Sequence, residues 1–114
     1  MILILVYCSD YQEAETIGKA LIQAKLSVCI NIMEGLHSIY RFKGKVEESD
    51  EALLIIKTLP RLRIKVFSMI KKLHSYEVPD ILTIKVDKTT PQITRWLTSE
   101  LKERNKTHII SKSY

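Results

Sequence analysis

Apolar positions recur along this chain with two periods, and each period marks a kind of element. Ile2-Leu3-Ile4-Leu5-Val6-Tyr7 has no polar alternation, so both faces of the strand it predicts must be covered. Helical spacing follows. Asp10 and Glu13 have the form of a capping box, and Ala14, Ile17, Gly18, Leu21 and Ile22 share one face, which predicts a helix over residues 11–25. The period returns to two over residues 26–33, with Val28, Ile30 and Ile32 on one side and Cys29, Asn31 and Met33 on the other. Glu34-Gly35 breaks the alternation, and a bulge or bend there lets residues 36–42 continue the same strand. A turn at Lys43-Gly44-Lys45 starts the return strand, which is acidic over residues 46–51 and apolar through Ala52-Leu53-Leu54-Ile55-Ile56.

Pro60 suits the first turn of a second helix, whose stripe is Leu62, Val66, Met69, Ile70 and Leu73 and which ends near His74. An irregular link, His74-Ser75-Tyr76-Glu77-Val78-Pro79, feeds a strand over residues 81–86. Thr90 and Pro91 cap and open a third helix striped by Ile93, Trp96, Leu97 and Leu101, and residues 105–114 read as a polar tail. The order is β-α-β-β-α-β followed by a helix: an α+β, ferredoxin-like antiparallel sheet with a long hairpin between its second and third strands. Two helices cover one sheet face. The first and third strands are apolar on both faces, so the other face needs a cover, and a second copy of the chain is the natural one.

Composition narrows the classes. A chain of 114 residues, 46% hydrophobic and 27% charged, is one domain with a single core. The apolar stretch at residues 1–6 is too short to span a bilayer and lacks the flanks of a signal peptide, so no membrane partner and a cytoplasmic location are expected. Net charge is +5. Its basic groups, Arg61, Arg63, Lys65, Lys71 and Lys72, then Lys102, Arg104 and Lys106, alternate with core positions and read as solvated helix faces. The two cysteines, Cys8 and Cys29, form no CxxC pair and read as reduced thiols.

Several short stretches recur in a family order: Cys8 closing the first strand; Lys25-Leu26-Ser27-Val28-Cys29-Ile30; Ser38-Ile39-Tyr40 with Gly44-Lys45; Glu51; Lys57-Thr58; the segment from His74 to Pro79; and Arg95-Trp96-Leu97. In this order and spacing the chain resembles the CutA1 family of divalent-cation tolerance proteins, from Ile4 to about Leu101. The resemblance implies a tight homotrimer in which neighbouring hairpins pack on one another's sheets. Ser38, Tyr40, Phe42, Gly44 and Trp96 then belong to the interface. It also implies a link to tolerance of copper and other divalent metals. Two positions depart from the family, which usually carries Trp where this chain has Phe42 and His-Pro-Tyr where it has His74-Ser75-Tyr76. The second departure frees a backbone N–H at position 75.

Thiolate and imidazole suit copper and zinc, so Cys8, Cys29 and His74 are the candidate ligands, and the resemblance points to Cys8 and His74. Each has a plainer reading, Cys8 as a small core residue and His74 as a cation at a helix end. Tyr40, Lys57, Tyr76 and Glu77 could line a cleft between subunits, although Lys57 is equally read as the ion-pair partner of Glu51 or Glu77. No phosphate loop, GxSxG or HExxH is present, so no enzyme is expected. An RNA-recognition sheet has the same element order but needs base-stacking aromatics. Here the third strand offers Leu53-Leu54-Ile55-Ile56 and the first only Tyr7, so no nucleic-acid partner is expected. A PII-like signalling trimer holding a small metabolite at its clefts shares the subunit fold, as does a purely structural assembly protein.

Overall fold

Strand β1 (Ile2–Cys8) runs through a four-stranded antiparallel sheet between β3 (Lys45–Thr58) and β4 (Ile81–Lys85), with β2 (Cys29–Phe42) at the edge beyond β3. The computed structural model describes residues 1–102, so the expected tail at 105–114 lies outside the described residues. Helices α1 (Tyr11–Gln23), α2 (Arg63–Leu73) and α3 (Pro91–Glu100) complete the expected ferredoxin-like order. A 3-10 turn, Pro60–Leu62, leads into α2.

Both expected N-terminal caps form. Asp10 accepts the Glu13 N–H, and Thr90 accepts the Ile93 N–H at the start of α3. Alternate residues of the central strands then build the core: Ile2, Ile4, Val6 and Cys8 of β1 with Ala52, Leu54 and Ile56 of β3, against Ala14, Ile17 and Leu21 of α1 and Val66 and Ile70 of α2. Leu97 of α3 and Leu101, which caps its end, join this same core. Gly18 marks a close approach, because a Cβ there would collide with Ile30 Cδ1 of β2.

The other face of the sheet stays open. Leu3, Leu5 and Tyr7 of β1 and Leu53 and Ile55 of β3 are only half-buried, while Leu82 and Ile84 of β4 are 47% and 45% exposed. No described element lies over them, as the double-sided apolar pattern anticipated.

The β2–β3 hairpin carries the chain beyond its own body. Register slips between Met33 and Leu36, where Gly35 has a φ of +79°, so the expected bulge is present. The turn is shorter than expected: Lys43 and Gly44 alone form it, with φ of +50° and +78°, the pattern of a type I′ hairpin turn. The molecule measures 57 × 29 × 22 Å, and its radius of gyration of 16.3 Å exceeds the roughly 13 Å of a compact chain this size. Apolar Ile39, Phe42 and Val46 are more than half exposed on this arm.

Candidate functional site

Three segments converge at the carboxyl end of β1. The strand ends on Cys8, opposite Ala52 of β3, and α1 begins three residues later. The Asp10 cap holds the Glu13 N–H at 2.8 Å, which turns the Glu13 carboxylate back over the helix start. There Oε1 accepts the Ser9 N–H at 2.9 Å and the Ser9 hydroxyl at 3.1 Å. Its Oε2 accepts the Ser75 N–H at 2.6 Å, so Glu13 bridges the start of α1 and the end of α2.

His74 caps α2 in extended conformation, φ −80° and ψ 142°, and this turns its ring away from the helix axis toward β1. Nε2 lies 2.8 Å from the Tyr7 carbonyl, and Nδ1 accepts the Tyr76 N–H at 3.0 Å. A carbonyl only accepts and an amide N–H only donates, so the ring is the tautomer with its proton on Nε2. The plainer reading of His74, a cation over the last helical carbonyls, is therefore corrected: the buried ring serves β1 and the following loop. One ligand atom each from Cys8, Glu13 and His74 lies within 4.8 Å of the others, and His74 Nε2 is 3.8 Å from Glu13 Oε1.

The electrostatics follow from this enclosure. Burial, reinforced by Glu13, Glu51 and Asp10, pushes the Cys8 thiol up to about 12. Burial also pushes the Glu13 carboxyl upward, but the hydrogen bonds from Ser9 and Ser75 outweigh it and hold the group below its ordinary 4.5. Tyr76 is raised, first by burial and then by its hydroxyl's 2.8 Å bond to Glu51 Oε2, with Tyr40 adding to the effect. The Tyr76 ring stands 4.7 Å from that of His74, tilted by 55°.

Of the residues singled out in the sequence, Cys8, His74 and Tyr76 come together here. Cys29 does not: it sits on the open sheet face opposite Lys57, five positions along β3 from the partner of Cys8, or about 17 Å at strand spacing. Its Sγ lies 3.8 Å from Asn31 Oδ1. Lys57 is on the same open face and has no ion pair among the described residues, which corrects its expected pairing with Glu51 or Glu77. Glu51 is engaged by Tyr76 instead, and Glu77 is exposed. Ser38 faces Ser49, Tyr40 faces Glu47 and Phe42 faces Lys45 on the arm, with Gly44 at its tip. Trp96 of α3 is distant in the fold, beside Ile22 and Val28. The sequence reading missed Glu13, Ser75 and Glu51 as site residues. Only Glu13 left a signal, because a capping-box carboxylate at that position necessarily turns back toward the end of β1.

Among the described residues no helix is long and apolar enough to cross a membrane. Residues 2–100 match the family model described as CutA1 divalent ion tolerance protein. The divalent-cation tolerance protein CutA of Thermus thermophilus is 37% identical over 94 residues, spanning 82% of this chain and 91% of that protein. Mouse protein CutA is 32% identical over 81% of this chain, which spans only 52% of the mouse protein's length. The crystal structure of CutA1 from Pyrococcus horikoshii superposes with a TM-score of 0.85 at 34% identity, covering 90% of this chain and all of that one. With a family match along almost its whole described length and the fold to accompany it, this chain belongs to the CutA1 divalent ion tolerance family.

Proposed function

We propose that this protein serves divalent-cation tolerance by binding copper, or another soft or borderline metal ion, through Cys8, Glu13 and His74, as a non-catalytic cytoplasmic homotrimer. The observation that carries the metal reading is the convergence of a thiol, a carboxylate and an imidazole within 4.8 Å. This donor set suits copper or zinc in type, and three protein ligands leave a coordination position open. A bound metal would supply charge that stabilises the Cys8 thiolate. Cys8 must give up its proton to ligate, so affinity should rise with pH. Were His74 to ligate through Nε2, its ring proton would sit on Nδ1 and the bonds to Tyr7 and Tyr76 would be given up.

Two features support the trimer: the uncovered apolar sheet face and the arm that projects beyond its own body. The test is light scattering on the eluting protein, with and without Cu(I) or Zn(II), together with anaerobic Cu(I) titration of a Cys8→Ser, His74→Gln variant. Three chain masses and a loss of binding in the variant are expected. A monomer overturns the assembly, and unchanged stoichiometry and affinity overturn the metal site.

A further inference from the structure

The opposite end of the sheet holds a second feature that the metal reading does not use. A cavity of about 410 Å³ lies between the end of α1, the start of α2 and the end of α3, lined by Lys25, Arg61, Lys65 and Lys102 and by Ala24, Leu26, Leu62 and Leu101. We propose that this cavity binds a small phosphorylated organic molecule.

Charge is the first argument. Among the described residues, all four ionisable groups lining the cavity are cations, and Glu100 lines the adjoining smaller cavity with Trp96. Lys25, Arg61 and Lys65 form no ion pair among the described residues. Like charges such as those of Lys25, Arg61 and Lys65 gathered around one concavity repel, and a multivalent anion relieves that repulsion. The guanidinium is also fixed in place: Arg61 donates to the Leu101 carbonyl at 2.7 Å, and the group has five N–H donors in all.

Conformation is the second. Lys25 follows α1 with a φ of +57°, and the Lys25 and Leu26 N–H groups return to the Ile22 and Leu21 carbonyls as in a Schellman end. Glycine is the low-cost residue there, and a lysine is strained. The chain therefore keeps a cation at a position where its backbone disfavours one, as occurs at ligand clamps.

Size and lining set the ligand class. The volume is that of a small-molecule site. Exposed Ala24 and half-buried Leu26 offer an apolar surface for the organic body while the cations take the phosphate. The site is independent of the Cys8 cluster. Leu26 is tied to Thr58, which faces Ile2, and Cys8 lies at the far end of β1, about 20 Å away.

Calorimetric titrations of the full chain with inorganic phosphate, pyrophosphate and phenyl phosphate test the proposal. Phenyl phosphate and pyrophosphate should bind, both more tightly than inorganic phosphate and both more weakly as salt rises. A Lys25→Gln, Lys65→Gln variant should lose about fivefold or more in affinity, equivalent to roughly 1 kcal/mol. Lys25→Gly separates folding from binding, since relief of backbone strain should raise its unfolding midpoint while its phosphate affinity falls. Absence of binding by all three probes, or equal binding by the double variant, overturns the site.

Discussion

Ser75 donates its backbone N–H to Glu13 Oε2 at 2.6 Å, and this one bond ties the end of α2 to the start of α1 directly beside Cys8. A proline in that place, as the family usually has, carries no N–H and cannot make it. In this chain the departure from the family pattern is thus absorbed into the site: the donor it freed is satisfied by the carboxylate that also holds Ser9.

Ser75→Pro should accordingly destabilise the protein. Loss of a hydrogen bond to a charged group costs about 1.5–3 kcal/mol, and the stiffer unfolded chain offsets about 0.4–1 of it. Urea unfolding should show a net loss of about 0.5–2.6 kcal/mol, and the Glu13 carboxyl should titrate at higher pH in the variant. An unchanged Glu13 titration would show that the bond does not control that carboxylate.

Acid stability should depend on Glu13. Its folded carboxyl titrates below the ordinary 4.5, so the unfolded chain takes up the proton first. The contribution is complete above the ordinary value and disappears as pH falls through the folded one. Glu13→Gln should therefore be less stable at neutral pH and should lose less further stability on acidification below pH 4.5 than the parent. Unfolding midpoints measured across that window check this, and parallel acid profiles would refute it.

Cys8 should be chemically silent. With no solvent exposure and its thiol pushed up to about 12, it presents almost no thiolate near neutrality. Alkylation with iodoacetamide followed by mass spectrometry should leave Cys8 unmodified in the native protein and modify it in guanidinium. Native alkylation at Cys8 comparable to that of a free thiol would contradict the enclosure described above.

The hairpin tip should tolerate one change and resist another. Gly44 has a φ of +78°, so Gly44→Ala should cost about 1–2 kcal/mol even though a Cβ there meets nothing. Lys43, at +50°, sits where asparagine is favoured in a type I′ turn, so Lys43→Asn should raise stability by a few tenths of a kcal/mol. Thermal unfolding of the two variants gives the comparison.

Element order, the bulge at Glu34-Gly35, both helix caps and the open apolar face were legible in the sequence, because each rests on local chemistry or on periodicity within a single segment. The turn was read one residue too long, since the alternation alone does not say which residues take positive φ. At the site, Cys8 and His74 could be named from their donor chemistry. Cys29 shared that chemistry, and only its register on β3 separated it from them.

What the sequence by itself determined is the set of elements and the faces they must bury, since side-chain period and capping chemistry act over a few residues. The tertiary structure alone decided which groups meet. The proton sits on His74 Nε2 because β1 and the loop after α2 present a carbonyl and an N–H to opposite sides of one ring. Glu51 answers Tyr76 and not Lys57, and two lysines read as solvated helix polarity, Lys65 and Lys102, share a cavity with Lys25 and Arg61. The Tyr7–His74 and Glu51–Tyr76 bonds join residues 67 and 25 positions apart, and no pattern within one segment encodes a distance across the sheet.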